Sequence, residues 1–152
     1  MTAREHRLYH RLQLAAHLAR KEADRRVTAA CGLPVAKVAV LTVVSTAPAP
    51  PSQRDVAREL GINESAVTDT VRRLVASGHL RSTRAPGDAR VKVLELTELG
   101  GVTLRRAEAP FAEVNAVIDA ALDPGEVATL TAALDRLTAG FGAAPDGSAP
   151  TG

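Results

Sequence analysis

Two amphipathic runs, residues 53–60 and 64–77, are separated only by Gly61-Ile62-Asn63. Runs this short are marginal as isolated helices, so the pair persists only by packing together and onto something else. Their ends are signalled. Ser52 stands as an N-cap, with Asp55 three residues on in the capping-box position. Gly61 can take the positive φ of a tight turn. Asn63 suits the next N-cap and Gly78 the following stop. Ala57 is small enough for the second helix to cross close above it, and Val56, Leu60, Ile62, Val67, Val71 and Leu74 are expected to face inward. Two short helices about a Gly-containing turn form a helix-turn-helix. The opposite face of the second helix then carries Ser65, Thr68, Asp69, Arg72 and Ala76. Hydroxyl and guanidinium groups there suit base edges or phosphates in a major groove. An ordinary αα-corner remains the alternative at this level.

The next segment narrows the choice. Residues 80–84 and 91–96 read as two short strands, and RAPGDAR between them carries the Pro-Gly-Asp signal of a hairpin turn. A helix-turn-helix followed at once by a hairpin with arginines at its tip is a winged-helix arrangement. Arg84 and Arg90 flank the tip, from which a guanidinium can enter a minor groove. Asp88, two residues from Arg90, is expected to hold it by an ion pair. The net charge of +2 hides an uneven distribution. Between Arg72 and Lys92 stand six cations (Arg72, Arg73, Arg81, Arg84, Arg90, Lys92) against one acid, Asp88. Residues 107–152 hold one cation, Arg136, and seven acids. A basic patch beside an acidic end fits a polyanion-binding surface on a scaffold that faces elsewhere.

The flanks read as helices. Residues 4–30 place Leu8, Leu12, Ala15 and Ala19 on a narrow apolar stripe that ends at Cys31-Gly32. Pro34 suits the first turn of a following helix, yet PVAKVAVLTVVST at 34–46 is rich in β-branched residues, and its pattern fits helix and strand alike. TAPAPPS at 46–52 is a loop. A helix is expected from Glu98 to about Leu122, kinked at Pro110. Asp123-Pro124, with Glu126 in the capping-box position, restarts a helix. Val127, Leu130, Leu134, Leu137 and Phe141 give it a long apolar stripe. The low-complexity tail, 142–152, is expected to be disordered. With 2 % aromatics and no Trp, the core must be Leu, Val and Ala, which suits helices. The length of 152 residues suits a single subunit. One cysteine excludes a disulfide framework. There is no run of about 18 uncharged apolar residues and no apolar signal-peptide core, so the expectation is a soluble cytoplasmic protein without a membrane partner.

These segments together resemble the MarR family of winged-helix transcriptional regulators. The resemblance runs from GLPVAKVAVL at 32–41, through DVARELGINESAVTDTVRRLVASGHL at 55–80, to DARVKVLELTELG at 88–100. The D-x-R near the wing tip followed by L-T-x-x-G is its most specific part. With the helix order it covers roughly residues 4–141. It implies a mainly α fold with a small β-hairpin wing, and makes residues 34–46 a helix. Residues 34–97 would be the winged helix-turn-helix that binds DNA, and 4–31 and 98–141 the dimerisation helices. The family resemblance implies a homodimer on double-stranded DNA, reading a pseudo-palindrome with half-sites about one helical turn apart. It implies repression or activation of transcription, repression being the first reading, often relieved in the family by a small, commonly phenolic or anionic, ligand. On this reading Ser65, Thr68, Arg72 and Arg73 contact bases or phosphate, while Arg84, Arg90 and Lys92 act from the wing with Asp88 in support. Three positions depart from the family pattern: Ala89 where a basic residue is usual, Ser82 where Arg is usual, and Asp69 after Thr68. An acid at that place opposes phosphate but can accept from a cytosine amino group.

Other groups carry less. His6, His10 and His17 fall within about 40° of one another on a helix, opposite the Leu8/Leu12 stripe. No carboxylate or Cys completes a metal site there, so a solvated or dimer-facing stripe is preferred and no metal is expected. Cys31 lies near Arg25 and Arg26, as a redox-sensing thiol would require. Its plainer reading is a small residue at a helix junction. No nucleophile–base–orienter set and no phosphate-cradling loop stands out, so neither an enzyme nor a cofactor is expected. The rival to a DNA-binding regulator is a winged helix that binds protein.

Overall fold

The structure is a computed structural model and describes residues 3–142, with side chains described from Arg7 onward. Of the tail expected from 142, only Gly142 lies among the described residues. Six helices and one hairpin follow in order: α1 (Ala3–Cys31), α2 (Val35–Thr46), α3 (Gln53–Leu60), α4 (Glu64–Ala76), β1 (Leu80–Ala85), β2 (Asp88–Leu96), α5 (Glu98–Ala121) and α6 (Pro124–Gly142). The fold is mainly α with a winged helix at its centre. The chain divides into two compact units, one up to Val114 and one from Asn115.

The first unit holds the core. Its fully buried side chains are Val27, Val38, Val40, Leu41, Val56, Val67, Leu74, Leu80 and Leu94. All are aliphatic, as the scarcity of aromatics requires. The ambiguous segment 35–46 is a helix that buries Val38, Leu41 and Val44 along one face and Val40 on another. Burial on more than one side is why neither a helical nor a strand period stood out. Its start is tied to α1, where the Asp24 carboxylate accepts the Val35 amide at 2.8 Å. Pro34 is the N-cap itself rather than a residue of the first turn.

Two anchors join the helix-turn-helix to the hairpin. The Leu94 amide donates to the Pro51 carbonyl at 2.9 Å, pinning the base of β2 to the loop before α3. The Thr97 hydroxyl meets the carbonyls of Gly78 (2.6 Å) and His79 (3.0 Å), just after α4. The same oxygen accepts the Gly100 amide at 3.1 Å and so caps α5. Gly100 is buried at this junction, where an added Cβ would overlap the His79 carbonyl oxygen and sit 2.7 Å from Leu96 Cδ1. This is the physical content of the L-T-x-x-G run: Thr caps, and Gly lets α5 approach the preceding turn.

On α1, Glu22 accepts from Arg25 and Arg26, which hold its carboxyl down from 4.5 to about 2. Arg26 also pairs with Glu113 of α5. Upstream, α1 is bare: Leu8, Leu12, Leu14 and Leu18 are all exposed. The second unit contains the end of α5 and α6. Asp123 and Glu126 exchange backbone bonds of 2.9 Å in the expected capping box. No residue of α6 is buried, and its stripe of Leu130, Leu134, Leu137 and Phe141 faces solvent. No single helix among the described residues is long and apolar enough to cross a membrane.

Two local expectations change. Ile62 is 46 % exposed rather than inward, because the αL residue at Gly61 turns the chain outward before α4 begins. The strands are longer than 80–84 and 91–96, since the turn needs only Pro86 and Gly87. Replacement of Gly100 by Ala is expected to destabilise the fold by about 1–3 kcal/mol, the range for overpacking a close contact. Urea unfolding of the variant beside a Gly101→Ala control, where the site is looser, checks it.

Candidate nucleic-acid interface

The surface is built from α3 upward. Ser52 and Asp55 form the expected capping box: the Ser52 hydroxyl accepts the Asp55 amide at 3.2 Å and Asp55 accepts the Ser52 amide at 2.9 Å. At the far end Gly61 takes φ +63°, and the Ile62 amide returns to the Ala57 carbonyl at 3.1 Å. Ala57 is buried beneath this crossing. Asn63 occupies the N-cap of α4 but makes no side-chain cap bond. Burial of Val67, Val71 and Leu74 fixes the rotation of α4. Ser65, Thr68, Arg72 and Arg73 are consequently exposed on the outside.

Three of these groups are already engaged. The Thr68 hydroxyl lies 2.8 Å from Gln53 Oε1 and 2.9 Å from the Glu64 carbonyl. With one proton for two acceptors, the hydroxyl is shared between its own helix and Gln53, the first residue of α3. Gln53 escaped sequence reasoning because its partner is fifteen residues away and no local pattern marks the pair. Asp69 divides its carboxylate between two arginines. One oxygen accepts from Arg72 and the other from Arg73 Nε at 2.8 Å. The guanidinium groups of Arg72 and then Arg73 hold the Asp69 carboxyl below its ordinary range.

The wing has a different electrostatic character. Its register places Arg81 opposite Glu95 and Arg84 opposite Lys92. Arg81 bonds Glu95 at 2.5 Å and is thereby neutralised. Arg84 and Lys92 are like charges facing each other across a ladder, an arrangement that costs stability. With Arg90 they are exposed, and none makes an ion pair among the described residues. The tip turns on Pro86-Gly87, where Gly87 takes φ +88°. Asp88 accepts the Arg90 backbone amide at 3.0 Å. The expected Asp88–Arg90 ion pair is absent among the described residues. The short carboxylate instead closes an Asx turn on the backbone, leaving the Arg90 guanidinium unpaired.

The remaining candidates lie apart. Cys31 is half-buried at the end of α1, its thiol 3.7 Å from the Leu33 carbonyl. Arg25 and Arg26 are occupied by Glu22 and Glu113. His10 and His17 are exposed on α1, and the His6 side chain lies outside the described residues. Elsewhere in the first unit, a cleft of about 410 Å³ opens between α2 and α5, with Thr42, Ser45, Leu104, Arg105, Glu108 and Phe111 on its walls.

Comparison with known proteins agrees with this geometry. The sequence pattern of the MarR family matches residues 32–91. The structure is similar to Sco3205, a MarR family transcriptional regulator from Streptomyces coelicolor in complex with DNA. Identity is 24 % over 98 % of this chain and 95 % of that one, with a TM-score of 0.86. It is similar to the PcaV transcriptional regulator from Streptomyces coelicolor in complex with its natural ligand, at 28 % identity over 86 % and 89 % of the two chains and a TM-score of 0.69. It is also similar to the transcriptional repressor CouR bound to a 23-mer DNA duplex, at 25 % identity over 86 % and 92 %, with a TM-score of 0.79. No curated protein matches the sequence significantly. The helix-turn-helix and wing, within residues 32–91, thus match the pattern of the MarR family of winged-helix transcriptional regulators, and the fold around them is similar to that of solved regulators of this family.

Proposed function

We propose that this regulator reads double-stranded DNA as a homodimer, with α4 in a major groove and the wing in the adjacent minor groove. The observation that carries the reading is the wing end: Arg84 and Lys92 face each other, Arg90 stands beside them, and none is neutralised by an ion pair among the described residues. Like charges held together at a cost to the hairpin are explained by a polyanion that arrives later. Ser65, Thr68, Arg72 and Arg73 then face base edges and phosphates, with Gln53 bonded to Thr68. Sco3205 and CouR, both described in complex with DNA, support the same use of this fold.

The dimer reading rests on uncovered apolar helix faces. Leu8 is 70 % exposed on α1 and Phe141 71 % exposed on α6, and α6 as a whole buries nothing. A lone amphipathic helix of that kind is marginal in water, and contiguous apolar faces mark interaction surfaces. Helices 4–31 and 98–141 covered by a second copy would place two α4 helices for a pseudo-palindrome. We place the effector site in the α2–α5 cleft, where hydroxyls, an aromatic ring and the Arg105 cation suit a small anionic or phenolic ligand. Such a ligand would act as an inducer of a repressor. The Asp69 pairing favours one rival, a winged helix that binds protein, because it removes free charge from α4; early elution from heparin would support that rival.

The test is fluorescence anisotropy with a duplex selected by the protein from a random-sequence library, beside a scrambled duplex. Selective binding that falls with salt is expected. Arg90→Ala is expected to weaken both complexes and reduce the salt slope by about 1, whereas an unchanged slope sinks the wing assignment. Light scattering after size exclusion at micromolar concentration is expected to give a dimer, and a monomer would end the two-fold reading.

A further inference from the structure

Among the cations of the helix-turn-helix and wing, those of α4 are treated differently from those of the wing. Arg72 and Arg73 both bond Asp69, one on each carboxylate oxygen, within a single turn of helix. Arg84, Arg90 and Lys92 have no ion pair among the described residues. The carboxylate is itself about half exposed, and so are the larger parts of both guanidinium groups. Nothing in the core requires this cluster, and an exposed pair of this kind contributes little to the fold.

A carboxylate and a phosphate are the same kind of acceptor for a guanidinium group. A phosphate that approaches α4 therefore competes with Asp69 for either arginine, and it meets the acid as a like charge. The exchange gains little, whatever the DNA sequence. A guanine edge offers two acceptors in the fork geometry of Arg, and so can displace the carboxylate where a lone phosphate does not. Building on the DNA reading above, we propose that Asp69 is a specificity-determining residue: it holds Arg72 and Arg73 from sequence-independent phosphate contact and so suppresses binding to the wrong DNA. The wing supplies the sequence-independent attraction, and α4 is kept from adding to it.

The test uses the full chain and anisotropy with the library-selected duplex and a scrambled duplex of equal composition, over roughly 50 to 200 mM salt. Asp69→Asn removes the charge at constant shape. Its affinity for the scrambled duplex is expected to rise about threefold to tenfold, with a salt slope steeper by about 1. The ratio of selected to scrambled binding is expected to fall. Asp69→Glu, which keeps a carboxylate within reach of both arginines, is expected to retain the wild-type ratio. Loss of affinity for the selected duplex alone in Asp69→Asn would overturn the proposal, since Asp69 would then be reading a base such as cytosine. Unchanged slopes on both duplexes would overturn it as well. A wild-type protein that binds neither duplex is a different result, visible before any variant is made, and removes the DNA reading on which the inference rests.

Discussion

The winged helix depends on one crowded junction. After α4 the chain turns at Gly78-His79, and the two carbonyls there are met by the hydroxyl of Thr97. That hydroxyl also receives an amide of the first turn of α5, from Gly100. One oxygen atom thus joins the exit of α4, the base of the wing and the entry of α5. The contact is possible only because Gly100 has no side chain to meet the His79 carbonyl. Leu80, Leu94 and Leu74, buried around it, make the arrangement a part of the core rather than a surface latch. Slack in this junction would be felt on the outer face of α4 and in the wing, since α4 and both strands meet it.

Around that rigid centre the charges fall into two classes. Some are satisfied within the fold: Glu22 with Arg25 and Arg26, Arg81 with Glu95, and Asp69 with Arg72 and Arg73. Others are left facing one another, as Arg84 and Lys92 are. Exposed pairs of the first class add little stability, so their main effect is on what the arginines are free to do. Counting basic residues between 72 and 92 therefore overstates the free positive charge of this surface. The pairing sorts it by position, with α4 partly neutralised and the wing not.

Much of the fold was legible because its signals are local. The two capping boxes, at Ser52/Asp55 and Asp123/Glu126, fix helix starts by groups three residues apart. Gly61 and Pro86-Gly87 mark turns by backbone preference alone. The family resemblance, not propensity, decided α2, since a helix buried on several sides has no clean period. What escaped was non-local or side-chain specific. Ile62 looked apolar and hence inward, but the turn directs it outward. The Gln53–Thr68 bond crosses from one helix to the next. Asp88 was assigned to the Arg90 guanidinium, while its short side chain prefers the nearer backbone amide. Asp69 was visible as an unusual residue on an outward face, yet its simultaneous hold on two arginines is a matter of rotamers that spacing does not specify.

The hydrogen bond from the Leu94 amide to the Pro51 carbonyl makes the wing a cantilever. Its root is clamped to the loop that leads into α3, and its far end is closed only by a two-residue turn. For a beam held at one end, displacement grows with distance from the clamp. Arg84 and Lys92 lie two residues beyond Leu94 and Arg90 four, toward the free end, whereas the neutralised Arg81 sits near the root beside Glu95. The unpaired charges thus lie on the side of the clamp nearer the free end. Length along the hairpin acts as a gradient of reach, with the groups best suited to capture placed toward the wider excursion and the neutral pair toward the narrower.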